Sequence, residues 1–516
     1  MSVATIPCEA SEHTAQTAPQ RDAVVSGRVF DARYDSAADL FATFACAAPE
    51  HALDMWFGPL RAAALAANPE ALRGALDRDI AAIDAMISKQ LDTVLHAPRF
   101  RRLEGSWRGV AFLAGGLDPA GRVKLRLLNI GWPEVCRDLE RAIEFDQSQL
   151  FRRVYEDEFG MPGGEPFGLL IFDHEVRHWP SKARPTDDVA AIEGLSGVAA
   201  AAFAVVVLAA SPALLEVDEF SDLAMTADVT APLRGPMHTR WRSLASREDM
   251  RFVCITLPRV LARPTWEDDP SRADGFRYQE YAPLAQDRVW MSAAYSFAAI
   301  VARAFVEYAW PADIRGVDTD REGGGIVTHL PVESFRTDPP MVWTRPPLDL
   351  VLHDAQERSL VEAGLIPLTA LPFSPDAAFA AVTSLQRPRR HMGATGEVAD
   401  ANARISARIN AILCASRFAH YIKVLGRDMV GSVQTADGVE RQLQSWLNTY
   451  VNATINAGAD TRARFPLSAG RVTVREHPGR PGVFGCTIQL QPHYQLDDLA
   501  ATFQLVTELS APGRRE

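Results

Sequence analysis

EFDQSQLFRRVYEDEFGMPGGEPFGLLIFD, residues 144–173, decides the fold class. Over 139–159 the apolar residues Leu139, Ile143, Leu150, Phe151, Val154, Tyr155 and Phe159 recur at helical spacing. A Gly/Pro breaker fills 160–166, and 167–172 is an apolar run long enough only for a buried strand. Helix, tight loop and buried strand in succession are the grammar of an α/β domain. The predicted class is α/β of mixed α+β character. With 516 residues the chain is too long for one core, so several domains are expected.

Working outward, residues 1–36 are low in large apolar side chains and predict a disordered or loosely attached start, and 37–98 predict helices. Leu72, Leu76, Ile80, Ile83, Ile87 and Leu91 repeat at three and four, behind an Asn68-Pro69 start signal. Residues 99–310 form the predicted α/β domain. Within it, 107–113 and 123–130 predict a hairpin or strand pair. Residues 187–215 predict one long apolar helix, 252–260 a strand, and 290–308 a buried helix. Residues 311–397 are Pro/Gly-rich with short strand-like runs. Residues 398–516 predict a C-terminal α/β part: helices over 399–424 and 437–451, then strands 472–475 and 483–490 joined by HPGRPG.

Hydrophobic content of 47% and charged content of 23% describe a globular chain, and a net charge of −12 argues against a nucleic-acid binder. The six cysteines are scattered with no CxxC pair, as expected for reduced thiols in a cytoplasmic protein. The start MSVATIPCEASEHT lacks a signal-peptide pattern. The apolar run 198–210 is too short to span a bilayer, and Pro212 closes it, so no membrane insertion is expected.

Candidate chemistry is sparse. His174-Glu175-Val176-Arg177-His178 fits H-E-x-x-H, a zinc hydrolase signature that needs a helix to put both imidazoles on one face. Here a strand precedes it and Trp179-Pro180 follows, so a helix cannot continue. Gly323-Gly324-Gly325 and 160–164 lack the Lys-Ser/Thr of a phosphate loop and predict turns. Gly194 and Gly197 predict close helix packing. Arg417, His420, Tyr421, Lys423 and Arg427 form a basic, aromatic helix face, read as solvated or salt-bridged with a partner contact as the alternative. Glu104, Trp107 and Arg108 read as a packed Trp beside an ion pair. No catalytic, cofactor or metal site is expected.

Five further segments extend the opening stretch: RRLEGSWRGV (101–110), VAAIEGLSGVAAAAFA (189–204), RWRSLASREDMRFVCITLPRVLAR (240–263), ANARISARINAILCASRFAHYIKVLGRDMVGS (401–432), and PLSAGRVTVREHPGRPGVFGCTIQLQPHYQLDDLAATFQLVTEL (466–509). Together they resemble the large subunit of the type VI secretion contractile sheath, the TssC (VipB, ImpC, EvpB) family, over about 82–509. The resemblance implies a structural subunit similar to phage tail sheath proteins. It implies polymerisation with a small sheath subunit (TssB, VipA-like) around the Hcp tube on a baseplate, and contraction that drives delivery. The ClpV ATPase reads an N-terminal helix in the family, but 30–64 here does not match that pattern, although 37–47 could form a helix. Strand exchange between subunits is also implied. Its candidates are 483–490 and 499–509, with Val483, Ile488, Leu490, Leu499, Phe503 and Leu505, and plain core strands are the alternative. The departures WMSAAYSFA (290–298) and 374–391 suggest a divergent paralogue. The competing functions are a non-polymerising adaptor and a hydrolase using His174, Glu175 and His178.

Overall fold

The computed structural model describes residues 20–27, 41–117, 121–161, 163–269, 271, 275–317, 323–335, 343–387, 407–429, 435–454, 458–476, 484–493 and 503–509. The chain folds as two compact units, Met1–Arg101 with Thr265–Arg288, and Arg102–Pro264 with Val289–Glu516.

In the first unit, helix α1 (Pro69–Leu95) starts where the sequence signals it. The Asn68 side chain accepts from the amides of Glu70 and Ala71, and Pro69 takes the first turn. Its apolar stripe is only partly used. Leu72 and Leu76 pack on a small core of Phe57, Ala62 and Ala75, while Ile80 and Ile87 stay exposed. Buried Asp79 is held by Arg21 Nε at 2.7 Å and Trp56 Nε1 at 3.0 Å. Of the expected 37–47 helix, 41–46 is helical and 37–40 lies outside the described residues.

In the second unit, helix α2 (Pro98–Gly115) occupies the place of the first predicted strand. The glycines explain it. Gly105 and Gly109 lie four residues apart on one face, where a Cβ would stand 2.2 Å from the Trp290 carbonyl oxygen and 2.3 Å from the Tyr295 ring. That close approach, with Leu113 one turn on, is a helical stripe and not a strand alternation. The second predicted strand, 123–130, has no strand partner among the described residues. Helix α3 (Trp132–Arg141) follows, and then Gln149–Phe151 and Asp157–Phe159 flank a π-helical turn over Arg152–Glu156.

Strand β1 (Leu169–Val176) stands where the strand is expected and runs past it, but it is half-buried, with only Val176 fully enclosed, because it lies at the edge of the sheet. The predicted 187–215 helix is two elements, helix α4 (Asp188–Ala202) and strand β2 (Val205–Ala210). The break falls at Phe203, left-handed at φ 50°, a C-cap position where glycine is usual. Because no Gly or Pro marks it, the run reads as continuous. Strand β3 (Val253–Leu257), helix α5 (Ala293–Tyr308) and strand β4 (Ile366–Pro367) complete a parallel sheet in the order β1-β2-β3-β4. Both of its faces are buried. Val206 and Leu208 join one core with Ile192, Trp241 and Ile255, and Val205 and Val207 join the other with Cys254, Phe297 and Phe379. Each fully buried aliphatic side chain contributes about 1.5–3 kcal/mol.

The same unit holds the C-terminal layer: helix α6 (Ile409–Met429), helix α7 (Ala436–Asn448), and strands β5 (Leu467–Glu476), β6 (Phe484–Pro492) and β7 (Phe503–Leu509) in an antiparallel meander. The hairpin expected around HPGRPG forms, with Val472 opposite Ile488 and Ile488 opposite Leu505. Trp310 stacks on Phe418 at 4.3 Å and meets Tyr450 edge-on at 5.0 Å, over a core of Leu443, Leu447, Val474 and Cys486.

Candidate functional site

The H-E-x-x-H motif is dismantled by its own backbone. His174 and Glu175 lie inside β1, where neighbouring side chains point to opposite faces. His174 Nε2 is 3.1 Å from Asp188, and its ring stacks on Trp132 at 4.1 Å. Glu175 takes two bonds from Arg259, at 2.5 and 3.0 Å. Burial raises the Glu175 carboxyl, but the Arg259 charge outweighs it and holds the group below the ordinary value. Arg259 also meets Asp349, whose carboxyl burial pushes up to about 7 against that attraction. These groups tie strand ends together. They do not converge on a substrate.

The basic face of α6 is turned inward, which overturns its reading as solvated or salt-bridged. His420 is buried and its Nε2 sits 2.9 Å from the Ala202 carbonyl oxygen. Burial brings its pKa down to about 4. Lys423 lies 4.8–5.0 Å from the ring centres of Tyr155, Phe159 and Phe203, and burial lowers it to about 8. The Arg417 guanidinium covers Phe305 at 5.1 Å and Tyr421 at 4.3 Å. The side chain of Arg427 lies outside the described residues. On α2, Arg108 pairs with Glu104 at 2.7 Å as expected, and buried Arg263 joins the same carboxylate at 2.7 Å. Trp107, expected to be packed, is 60% exposed.

Arg417, His420 and Tyr421 line a cavity of about 450 Å³ with Phe305, Phe167 and Leu169, and Arg122, Lys124 and Arg126 also line it. Lys124 and Arg126 belong to the 123–130 region and Arg122 directly precedes it; in that region Leu127, Leu128 and Ile130 are 61%, 61% and 40% exposed. The segment exposes its leucines and has no strand partner among the described residues. Its apolar clustering is legible in the sequence; no strand pairing for it is found among the described residues.

The C-terminal sheet carries the strand-exchange candidates. Ile488 and Leu490 are buried under α6 and α7, so their side chains serve the core. Phe503 pairs with Leu490 and Leu505 with Ile488 through backbone register, while Val483 and Leu499 lie outside the described residues. The two edges differ. On β5 the amides of Val472 and Val474 are taken by Gln444 Oε1 and Glu440 Oε2 of α7, each at 2.8 Å. β7 pairs only with β6 among the described residues. Sequence reasoning missed the two α7 caps because only the fold aligns them with alternate β5 amides.

Residues 77–386 match the family described as EvpB/VC_A0108, tail sheath N-terminal domain, and 398–509 match its tail sheath gpW/gp25-like domain. The chain belongs to the TssC/VipB sheath family. It is 34% identical over 442 residues to the type VI secretion system sheath protein TssC1 of Pseudomonas aeruginosa, covering 85% of this chain and 86% of that one. A chain in the cryo-EM structure of the anti-feeding prophage baseplate aligns over 60% of this chain and 63% of its own length. At 9% identity and a TM-score of 0.31, that likeness carries no argument. The first sheath domain contains the parallel sheet and the 123–130 segment, and the second contains α6, α7 and the meander. No helix among the described residues is long and apolar enough to cross a membrane.

Proposed function

We propose that this chain is the large structural subunit of a type VI secretion contractile sheath, without catalytic activity of its own. The observation that carries the reading is the match of both sheath domains, in order, across most of the chain. The protein works in the cytoplasm, polymerising with the small sheath subunit around an Hcp tube on a baseplate. The exposed 123–130 segment receives the small subunit, and the open edge of β7 accepts a strand from a neighbour. Strand addition ties subunits by backbone hydrogen bonds while the linkers between them flex. A heterologous interface that does not close generates a helical tube, and contraction follows when that interface has two packings of similar energy.

The test is co-expression with the small sheath subunit, high-speed pelleting and negative-stain imaging. Hollow tubes containing both chains support the reading. A soluble heterodimer alone would favour a non-polymerising adaptor, and no association would sink the sheath assignment.

A further inference from the structure

The second histidine of the H-E-x-x-H motif has a different set of neighbours from the first. His178 lies two residues beyond the carboxyl end of β1. Beyond the carboxyl end of β2, the adjacent parallel strand, the 3₁₀ turn Pro212–Leu215 ends at Glu216, held left-handed at φ 58°. His238 closes a second 3₁₀ turn, Pro236–His238. The donor atoms of His178, Glu216 and His238 all lie within 4.8 Å of one another, and the two imidazoles stack at 3.8 Å.

The hydrogen bonding says which nitrogens are on offer. His238 is fully buried, and its Nε2 lies 2.8 Å from the Leu214 carbonyl oxygen. The Ala213 backbone, in the same turn, acts electrostatically on the His178 ring. In both rings Nδ1 is buried with no hydrogen-bond partner, and the Glu216 carboxylate stands 3.5 Å from that of His238. The Pro212–Leu215 turn thus holds His238 by its Nε2, and Nδ1 of both rings is left unbonded in the cluster with the Glu216 carboxylate. That is how metal-ligating histidines are held: the far nitrogen donates to a carbonyl and the near one faces the ion. Two buried imidazole nitrogens without hydrogen-bond partners, clustered with a carboxylate, call for an explanation. His174 and Glu175 are excluded from the set, being engaged by Asp188 and Arg259.

We propose that His178, Glu216 and His238 form a binding site for a borderline divalent transition ion, with zinc the best match. Two imidazole nitrogens and one carboxylate oxygen suit zinc, with water as the fourth ligand. Donors about 2.0–2.1 Å from one ion stand about 3.3 Å apart. Rotation of His178 and of the half-exposed Glu216 closes the remaining distance. The crevice beyond the carboxyl ends of parallel strands is where open α/β sheets place ligands. The ion staples the exits of β1 and β2 to the helix that follows His238. Its role is structural and is independent of the sheath assignment.

The test uses the full-length chain without a histidine tag, stripped with chelator, dialysed, and titrated with zinc and with cobalt. The expected results are one zinc per chain, a rise in Tm on loading, and a four-coordinate cobalt visible spectrum. Glu216→Gln, at a partly exposed position, should fold normally and weaken zinc binding about tenfold or more. His178→Gln should abolish the cobalt spectrum, and His174→Gln should leave stoichiometry and spectrum unchanged. Zinc below stoichiometry in the unmodified chain would overturn the proposal. So would binding indifferent to Glu216→Gln and His178→Gln, or loss of binding in His174→Gln alone.

Discussion

The parallel sheet and the C-terminal meander solve opposite problems. β2 and β3 are flanked by strands on both sides and buried on both faces, so their backbone and side chains are spoken for within the chain. The meander has one edge closed by two side chains of α7 and another with no partner among the described residues. Strands enclosed on both sides in this way are suited to the interior of a rigid body. A sheet blocked on one edge can receive a strand only at the other, and in the proposed assembly that would give the lattice its direction.

The largest effect expected from breaking this contrast is all-or-none. Removal of residues 499–516 should abolish tubes in co-expression while the parallel sheet keeps its cooperative thermal transition. Next, Phe297→Ala should cost about 3–5 kcal/mol by denaturant unfolding, because Phe297 is fully buried and edge-on to Phe379 at 5.6 Å. Smaller again, Glu440→Ala with Gln444→Ala leaves two β5 amides without acceptors. It should cost about 1 kcal/mol per amide and promote off-register association, seen as particles other than tubes in the pellet.

The subtlest contrast is in pH. Asp349 carries a proton up to about 7 in the folded chain and sheds it near the ordinary 3.8 when unfolded, so its contribution falls as pH rises between those values. His420 resists protonation down to about 4 when folded but takes a proton near 6.5 when unfolded, so its contribution falls as pH drops through that window. Tm measured at pH 4.5 and 7.5 should therefore shift in opposite senses when Asp349→Asn and His420→Gln are each compared with the parent chain.

Much of this architecture is legible in the residues, and the failures have local causes. Asn68-Pro69 starts α1, and HPGRPG marks the β5–β6 connection, because both are backbone signals carried by neighbouring residues. The α4–β2 boundary is hidden because Phe203, not glycine, takes the left-handed position. α2 is misread because the apolar residues of 107–113 cluster just before Gly115-Gly116, a turn signal, while the partners of Gly105 and Gly109 that mark the helix face, Trp290 and Tyr295, lie nearly two hundred residues on. The α6 basic face looks solvated because no local pattern announces that Ala202 and three aromatic rings will cover it.

Hydrogen–deuterium exchange of the chain, free and in assembled sheath, tests the central claim most directly. Every second β7 amide points away from β6. The account predicts that these amides exchange rapidly in the free chain and become protected on assembly, while β2 amides are protected in both states. Unchanged β7 exchange in tubes would contradict it, since the lattice would then be joined elsewhere.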